Sequence, residues 1–305
     1  MDALTEFLRK RNISFAEHCP TAKYSTFRIG GTARLAVFPQ SVEQMIDALT
    51  AARDAKEEYA VVGKGSNLLF PDGEYGGVLI FTTRMAGLIS DSDGFTALAG
   101  VPLGAVAIRA RERSLEGAEF MGGIPGTVGG AVLMNAGAYG RCMADVVTWV
   151  ECFDGKTGQI KRFERDAHEF GYRTSLYARS THLTVLSVGM RLQSGERVGI
   201  DALMEDYRRR RTLSQPQGYP NAGSIFKNPE GASAGALIEA CGLKGCTVGG
   251  ACVSEKHANF IVNKGGATAR DVTALIALVR SRVLQQTGIE LQCELKQIKT
   301  VKEIR

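Results

Sequence analysis

The first chemical signal in this sequence is glycine, placed where backbone could meet an anion. Residues 117–140 hold eight glycines, most of them in Gly122-Gly-Ile-Pro-Gly126-Thr-Val-Gly129-Gly130 and Gly137-Ala-Tyr139-Gly140. Glycine inside a helix or strand costs about 0.5–1 kcal/mol relative to alanine. A cluster therefore marks backbone that approaches something closely or takes positive φ. Consecutive amides in such loops form a donor-lined hollow for phosphate; tight turns packing strand on helix are the alternative. A second loop, Gly63-Lys-Gly65-Ser-Asn67, follows the apolar run Tyr59–Val62. It is not the dinucleotide fingerprint, because Leu68 stands where the third glycine belongs, and no G-x-x-x-x-G-K-[ST] loop occurs. Two such loops in separate parts of the chain suit a long diphosphate ligand such as FAD.

Bulk properties bound the rest. With 305 residues, 44% hydrophobic and 23% charged, the chain has globular composition and the length of about two domains. Its 36 glycines show no Gly-X-Y period, which excludes collagen. The net charge of +5 is mild, and its one dense run, Arg208–Arg211, follows the acids Glu205 and Asp206. A solvated helix face is expected there, with contact to an anionic ligand as the alternative. Nucleic-acid binding is not expected. The seven cysteines, at 19, 142, 152, 241, 246, 252 and 293, form no C-x-x-C pair, so reduced and mostly buried thiols are expected. The four histidines are scattered, so no metal site is expected. Residues 1–11 carry acids without a long apolar core, and no apolar run approaches 18 residues. Neither an export signal nor a membrane span is expected, and cytoplasmic localisation follows by exclusion.

These loops need elements to hold them. Ser41-Val-Glu-Gln44 predicts a capping box for a helix carrying Val42, Met45, Ile46, Leu49 and Ala52 at helical spacing. Tyr59–Val62 and Val78–Phe81 read as short buried strands, and residues 96–115 as a strand followed by a helix. Leu186, Val188, Met190 and Leu192 alternate with other residues, which predicts a half-buried strand. Thr268 and Asp271 cap a helix with the stripe Val272, Leu275, Ile276, Val279 and Val283, ended by Gly288. Ile289, Leu291, Cys293 and Leu295 then alternate with polar residues, predicting a strand with Glu294 opposite the apolar face. Such alternation of strands and helices indicates an α+β or α/β class. The expected segments are 1–80, 81–195 and 196–305.

Five motifs then occur in one order: Thr26-Phe-Arg-Ile-Gly-Gly31; Val62-Gly-Lys-Gly-Ser-Asn-Leu68; Gly123-Ile-Pro-Gly-Thr-Val-Gly-Gly130 with Asn135-Ala-Gly-Ala-Tyr139; Tyr172-Arg-Thr-Ser175; and Asn221-Ala-Gly-Ser-Ile-Phe-Lys-Asn-Pro229. Together they closely resemble the UDP-N-acetylenolpyruvoylglucosamine reductase family of bacterial peptidoglycan synthesis, from about Tyr24 to Ile298. The resemblance implies an α+β protein. FAD would sit non-covalently in a vanillyl-alcohol-oxidase-type fold of two subdomains, 1–80 and 81–195, followed by a C-terminal α/β substrate-binding domain, 196–305. The short passage after Tyr177 resembles the shorter, second type of the family. NADPH is implied as co-substrate and UDP-N-acetylglucosamine enolpyruvate as substrate. A monomer with no nucleic-acid or membrane partner is expected.

The implied reaction sends hydride from NADPH to flavin and then to C3 of the enolpyruvyl group, while C2 takes a proton. By resemblance, Arg173 binds the substrate carboxylate and stabilises the growing charge, Ser224 protonates C2, and Glu294 is the C-terminal acid. By residue type alone, Arg173 is a surface arginine and Ser224 a helix or turn cap. Around Glu294 the chain reads Gln292-Cys-Glu294-Leu where the family usually has Glu-Pro-Glu-Val, which leaves Glu290 as a competitor. Tyr172, Lys227 and Asn228 are the implied substrate contacts; an ordinary turn before Pro229 is the alternative for the last two. FAD is assigned to Gly63, Lys64, Gly65, Ser66 and Asn67 and to Gly123, Ile124, Pro125, Gly126 and Thr127. On this view the glycines hold cofactor, and the chemistry lies outside them. His257 is expected to be structural. Two rivals stay open: another flavin oxidoreductase of the same fold, which would lack the Ser224 motif, and a nucleotide-binding regulatory protein without the chemistry.

Overall fold

Helices begin where side chains can satisfy their first amides. In a computed structural model, which describes residues 3–298, the helix Val42–Asp54 starts at Ser41, whose hydroxyl accepts from the Gln44 amide at 3.2 Å. The return half of the expected box is displaced by one residue, since Gln44 Oε1 accepts from the Gln40 amide. The full reciprocal box forms at Thr268 and Asp271. The helix Ala269–Thr287 that it starts buries its whole predicted stripe and stops at Gly288, φ +72°.

The chain forms two compact units, each discontinuous in sequence. The first comprises the chain to Ala16, Leu35–Lys64 and Gly77–Arg210; the second comprises Glu17–Arg34, Gly65–Gly76 and the chain from Arg211. This division differs from the contiguous segments 1–80, 81–195 and 196–305, and burial supplies the reason. Phe27, Ile29 and Leu69 belong to one core with Ala222, Ile225, Phe226 and Leu291. The helix Arg197–Ser214 buries Ile200 and packs Met204 and Tyr207 against the core of the first unit. Met1, Asp2 and residues 299–305, at the outer ends of the expected segments, lie outside the described residues.

In the first unit, five antiparallel strands run in the order Gln159–Glu164, Val147–Asp154, Leu183–Arg191, Gly94–Leu98 and Leu88–Ser90. The middle strand is buried from Leu183 to Met190 on both faces, not on one as its alternation suggests. Small residues on the second face make room for what covers them. A Cβ at Gly189 would lie 2.0 Å from the indole nitrogen of Trp149, and the Ser187 hydroxyl donates to the Glu151 carboxylate at 2.8 Å. The helix Leu103–Glu112 adds Leu103, Val106, Ala107 and Ala110 to this core. A further core gathers Leu35, Met45, Leu49 and Ile80, beside the parallel pairing of Tyr59–Val62 with residues 78–81.

In the second unit, Asn221–Ser224, Phe260–Asn263, Ala251–Val253 and Thr247–Val248 form an antiparallel sheet in that order. The strand expected over 289–296 is largely irregular. Only Lys296–Gln297 pairs as a strand, in parallel with Leu68–Leu69. Leu291 and Leu295 are buried but Cys293 is exposed, because residues 292–294 bond to the backbone of Ile225 and Lys227 rather than to a regular strand.

The chain is thus α+β. All seven cysteines are free thiols, but only Cys19, Cys152 and Cys252 are fully buried, fewer than expected. Arg208 pairs with Glu205 at 2.6 Å, and Arg209 and Arg210 pair with Asp206 at 3.0 and 2.6 Å, on an exposed helix face. Among the described residues, no helix is long and apolar enough to cross a membrane, and no group of three His, Cys, Asp or Glu side chains is placed to hold a metal.

Candidate active site

Arg173 sits at the tip of a tight turn in the first unit. Gly171 and Thr174 close that turn by exchanging backbone hydrogen bonds, at 3.0 Å from the Gly171 amide and 3.3 Å from the Thr174 amide. Arg173 takes φ +54°, a left-handed conformation that costs a non-glycine residue about 1–2 kcal/mol. Side chains from elsewhere hold it. Asn135 Nδ2 donates to the Gly171 carbonyl at 3.1 Å, and the Ser175 hydroxyl donates to the Leu133 carbonyl at 2.8 Å. Arg173 Nη2 donates to the Gly137 carbonyl at 3.3 Å. Its guanidinium lies 5.4 Å from the Tyr172 ring centre, and Tyr172 is 56% exposed. Buried His168 and Tyr177 flank the segment, with Nδ1 and the phenol oxygen 2.8 Å apart. Burial holds the His168 imidazole below its ordinary range and pushes the Tyr177 phenol up.

Asn135 and Gly137 belong to the glycine-rich stretch, so its far end anchors Arg173. Arg173 and the glycine-rich stretch are therefore in contact at that end. Packing explains other glycines. A Cβ at Gly129 would lie 2.8 Å from that of Ala99, and one at Gly137 would lie 2.5 Å from the Arg141 carbonyl. Tyr139 stacks on Tyr207 with centroids 4.0 Å apart, and its hydroxyl donates to the Tyr207 carbonyl, a pairing no local signal announces.

The remaining loop residues fit a phosphate-bearing cofactor. A Cβ at Gly63 would lie 2.3 Å from the Thr127 hydroxyl oxygen, so only glycine leaves this space open. That hydroxyl is buried and has no hydrogen-bond partner. A buried unpaired hydroxyl costs about 1–3 kcal/mol, which an acceptor such as a phosphate oxygen would relieve. Gly123 and Pro125 are exposed, Ile124 and Gly126 half-buried, and the Gly126 amide is already used by the Ile124 carbonyl at 2.9 Å. Gly63 and Lys64 lie in the first unit, and Gly65, Ser66 and Asn67 in the second. Gly65 takes φ +63°, and a Cβ there would meet the Tyr24 carbonyl oxygen at 2.1 Å. Asn67 Nδ2 donates to the Glu294 carbonyl at 3.3 Å, which ties this loop to the C-terminal acid.

Ser224 and Glu294 come together in the second unit. Ser224 is neither a helix cap nor a turn cap; it ends the strand Asn221–Ser224, opposite Phe260. The register slips between Asn221 and Ser224, where Gly223 takes φ +78° and donates its amide to Asn221 Oδ1 at 3.1 Å. Bulges of this kind re-aim the side chain that follows. The next residue, Ile225, accepts the Glu294 amide at 2.7 Å, so the two half-buried residues share one backbone anchor. Asn259 locks that anchor: its amide group accepts from the Phe226 N–H at 2.9 Å and donates to the Phe226 carbonyl at 2.8 Å. Glu290, the competing acid, is exposed and paired with Arg280 at 2.7 Å. Lys227 is half-buried with its amide on the Gln292 carbonyl, and Asn228 Oδ1 accepts from the Ala234 amide at the start of the helix Ala234–Ala240. His257 packs edge-on against Phe260 and accepts from the Asn259 amide, a structural setting. A cavity of about 780 Å³ in the first unit, lined by Trp149, Asp166 and Arg191 among others, contains none of these residues.

Known proteins resemble this chain in sequence and in fold. Residues 215–298 match the family described as UDP-N-acetylenolpyruvoylglucosamine reductase, C-terminal domain, and residues 33–164 match an FAD binding domain. The UDP-N-acetylenolpyruvoylglucosamine reductase of Heliobacterium modesticaldum is 43% identical over 297 residues, covering 97% of this chain and 94% of that protein. The one from Caldicellulosiruptor bescii is 42% identical, covering 95% and 92%. The crystal structure of UDP-N-acetylenolpyruvylglucosamine reductase from Thermus caldophilus matches with a TM-score of 0.79 at 33% identity, over 94% of this chain and 99% of that one.

Proposed function

The chain belongs to the UDP-N-acetylenolpyruvoylglucosamine reductase family, and from that premise we propose that it reduces UDP-N-acetylglucosamine enolpyruvate to UDP-N-acetylmuramate for peptidoglycan synthesis, with NADPH as electron donor. The observation that carries the reading is 43% identity across 97% of the chain, with Arg173, Ser224 and Glu294 all present. FAD, when bound, supplies hydride relay from NADPH to C3 of the enolpyruvyl group. Gly63–Asn67 and Gly123–Thr127 would hold it non-covalently, with the unpaired Thr127 hydroxyl offered to a phosphate oxygen.

The chain's own residues perform the rest. Arg173 presents two parallel N–H donors to the substrate carboxylate and stabilises the charge that grows as C3 takes hydride. Ser224 delivers a proton from Oγ to C2. Glu294 serves as the C-terminal acid, held beside Ser224 by the bond from its amide to the Ile225 carbonyl. Lys227 and Asn228 bind the diphosphate or sugar, and Tyr172 packs beside the substrate held by Arg173. The same reading makes the chain a monomeric cytoplasmic enzyme with small-molecule partners.

The purified protein should be yellow, and its NADPH oxidation should depend on the enolpyruvyl substrate. Replacing Ser224 by alanine should cut turnover by about 10²–10⁴-fold and leave flavin reduction by NADPH unchanged. A colourless preparation would remove FAD from this account. Turnover by Ser224→Ala at the normal rate would remove the proton donor.

A further inference from the structure

We infer that Asn135 is the positioning residue that sets Arg173 for the substrate carboxylate, an inference that rests on the reductase reading above. Asn135 is buried at the end of the helix Val128–Met134 and takes φ +41°. Both ends of its carboxamide are used. Nδ2 donates to the Gly171 carbonyl at 3.1 Å, and Oδ1 accepts from the Ala144 amide at 3.0 Å. The Gly171 carbonyl is also the acceptor that closes the Arg173 turn, from the Thr174 amide at 3.3 Å. Without the Asn135 donor, a strained left-handed turn would be closed on that carbonyl by one long bond alone.

The same residue governs the second restraint on Arg173. The guanidinium donates to the Gly137 carbonyl, two residues beyond Asn135. Ala136, between them, is pinned by its amide to the Ala131 carbonyl and by its carbonyl to the Met143 amide. Asn135 therefore fixes the peptide that holds the turn and the start of the segment that aims the side chain. The position demands a residue that tolerates positive φ, donates and accepts. Glycine meets only the first demand, and aspartate lacks the donor.

The test uses the FAD-loaded full-length protein with Asn135→Asp, which keeps the Ala144 acceptor and loses the Gly171 donor, and with Asn135→Gly, which keeps the backbone and loses both bonds. Stopped-flow measurement separates flavin reduction by NADPH from reoxidation by the enolpyruvyl substrate. Misplacing a reacting group by about 1 Å can cost 10²-fold. The expected result is reoxidation slowed about 10–100-fold, a KM for the enolpyruvyl substrate raised about tenfold, and flavin reduction unchanged. In an Arg173→Ala background, adding Asn135→Asp should cost nothing further. Equal slowing of both half-reactions, additive losses with Arg173→Ala, or failure of both variants to retain FAD would each make Asn135 merely structural and overturn the inference. If the unsubstituted protein is reduced by NADPH but never reoxidised by the enolpyruvyl substrate, the reductase reading fails instead.

Discussion

Arg173 and the Ser224–Glu294 pair are fixed by different kinds of bond. Arg173 occupies a left-handed turn held by side chains, from Asn135 across 36 residues and through Ser175 across 42. Ser224 and Glu294 hang mainly on backbone bonds inside a core, a strand pairing with Phe260 and the amide of Glu294 on Ile225, with the buried Asn259 side chain clamping both polar groups of Phe226. A turn held by single side-chain bonds can be loosened without unfolding its surroundings. A backbone anchor inside a core cannot, because the groups it leaves unpaired are buried. Substitutions around Arg173 should therefore show in kinetics, and substitutions around Ser224 and Glu294 should show first in stability.

The largest expected effect tests the first half of that contrast. Arg173→Ala should lower kcat/KM for the enolpyruvyl substrate by about 10²–10³-fold, the scale of one lost donor to a developing anion. Its urea unfolding free energy should move by no more than about 1.5 kcal/mol, since the half-buried side chain gives up the net worth of its hydrogen bond to Gly137. Asn259→Leu tests the other half. It strands the Phe226 N–H and carbonyl in the core, where each unpaired group costs about 1–3 kcal/mol, and should lower unfolding free energy by about 2–4 kcal/mol. A stable Asn259→Leu protein that had lost only activity would erase the distinction.

Local signals were legible where every partner lay within a few residues. The helix Ala269–Thr287 has its cap, stripe and stop in one stretch, and all of them form. Distant partners were not legible. The both-face burial from Leu183 to Met190 depends on Trp149 lying over Gly189. The setting of Ser224 depends on Phe260 and Asn259, and no arginine announces from its neighbours that it will take positive φ. The two compact units are discontinuous for the same reason, since Phe27, Ile29 and Leu69 lie in short segments whose core is far along the chain. Motif resemblance supplied Arg173, Ser224 and Glu294; it included Asn135 in a glycine-rich motif but gave no positioning role to Asn135 or Asn259, nor the bond from Asn67 to Glu294.

A pH series should resolve a smaller effect on the Arg173 side. Burial lowers the His168 pKa from 6.5, so folding favours the neutral imidazole. Its contribution is complete above 6.5 and is lost as pH falls from there toward the lowered value. The Asp154 carboxyl, hydrogen-bonded to Lys161 at 2.6 Å, is held well below the usual carboxylate range. Its contribution is complete above 3.8 and is lost only as pH falls below that. His168→Gln should therefore flatten stability over the upper window in thermal melts and leave the lower window intact. Unchanged slopes in both would mean that burial does not hold the His168 imidazole neutral.

The smallest effect is expected on the helix Arg197–Ser214, which serves neither anchor. Asp206 pairs there with both Arg209 and Arg210, so Asp206→Asn removes two ion pairs at once. Both arginines are more than half exposed, at 66% and 61%, and exposed pairs are worth about 0.2–1 kcal/mol each and are screened by salt. The acid precedes both bases on the helix, which is the better orientation for such pairs. Asp206→Asn should thus lower unfolding free energy by less than ~1 kcal/mol, with the difference shrinking at high salt. Because the arginines serve a solvated face, Arg209→Gln should leave KM for the diphosphate substrate unchanged. A tenfold rise in that KM would instead give the arginine run a role in binding anions, and would add a third kind of anchor, long-range charge, to the two compared here.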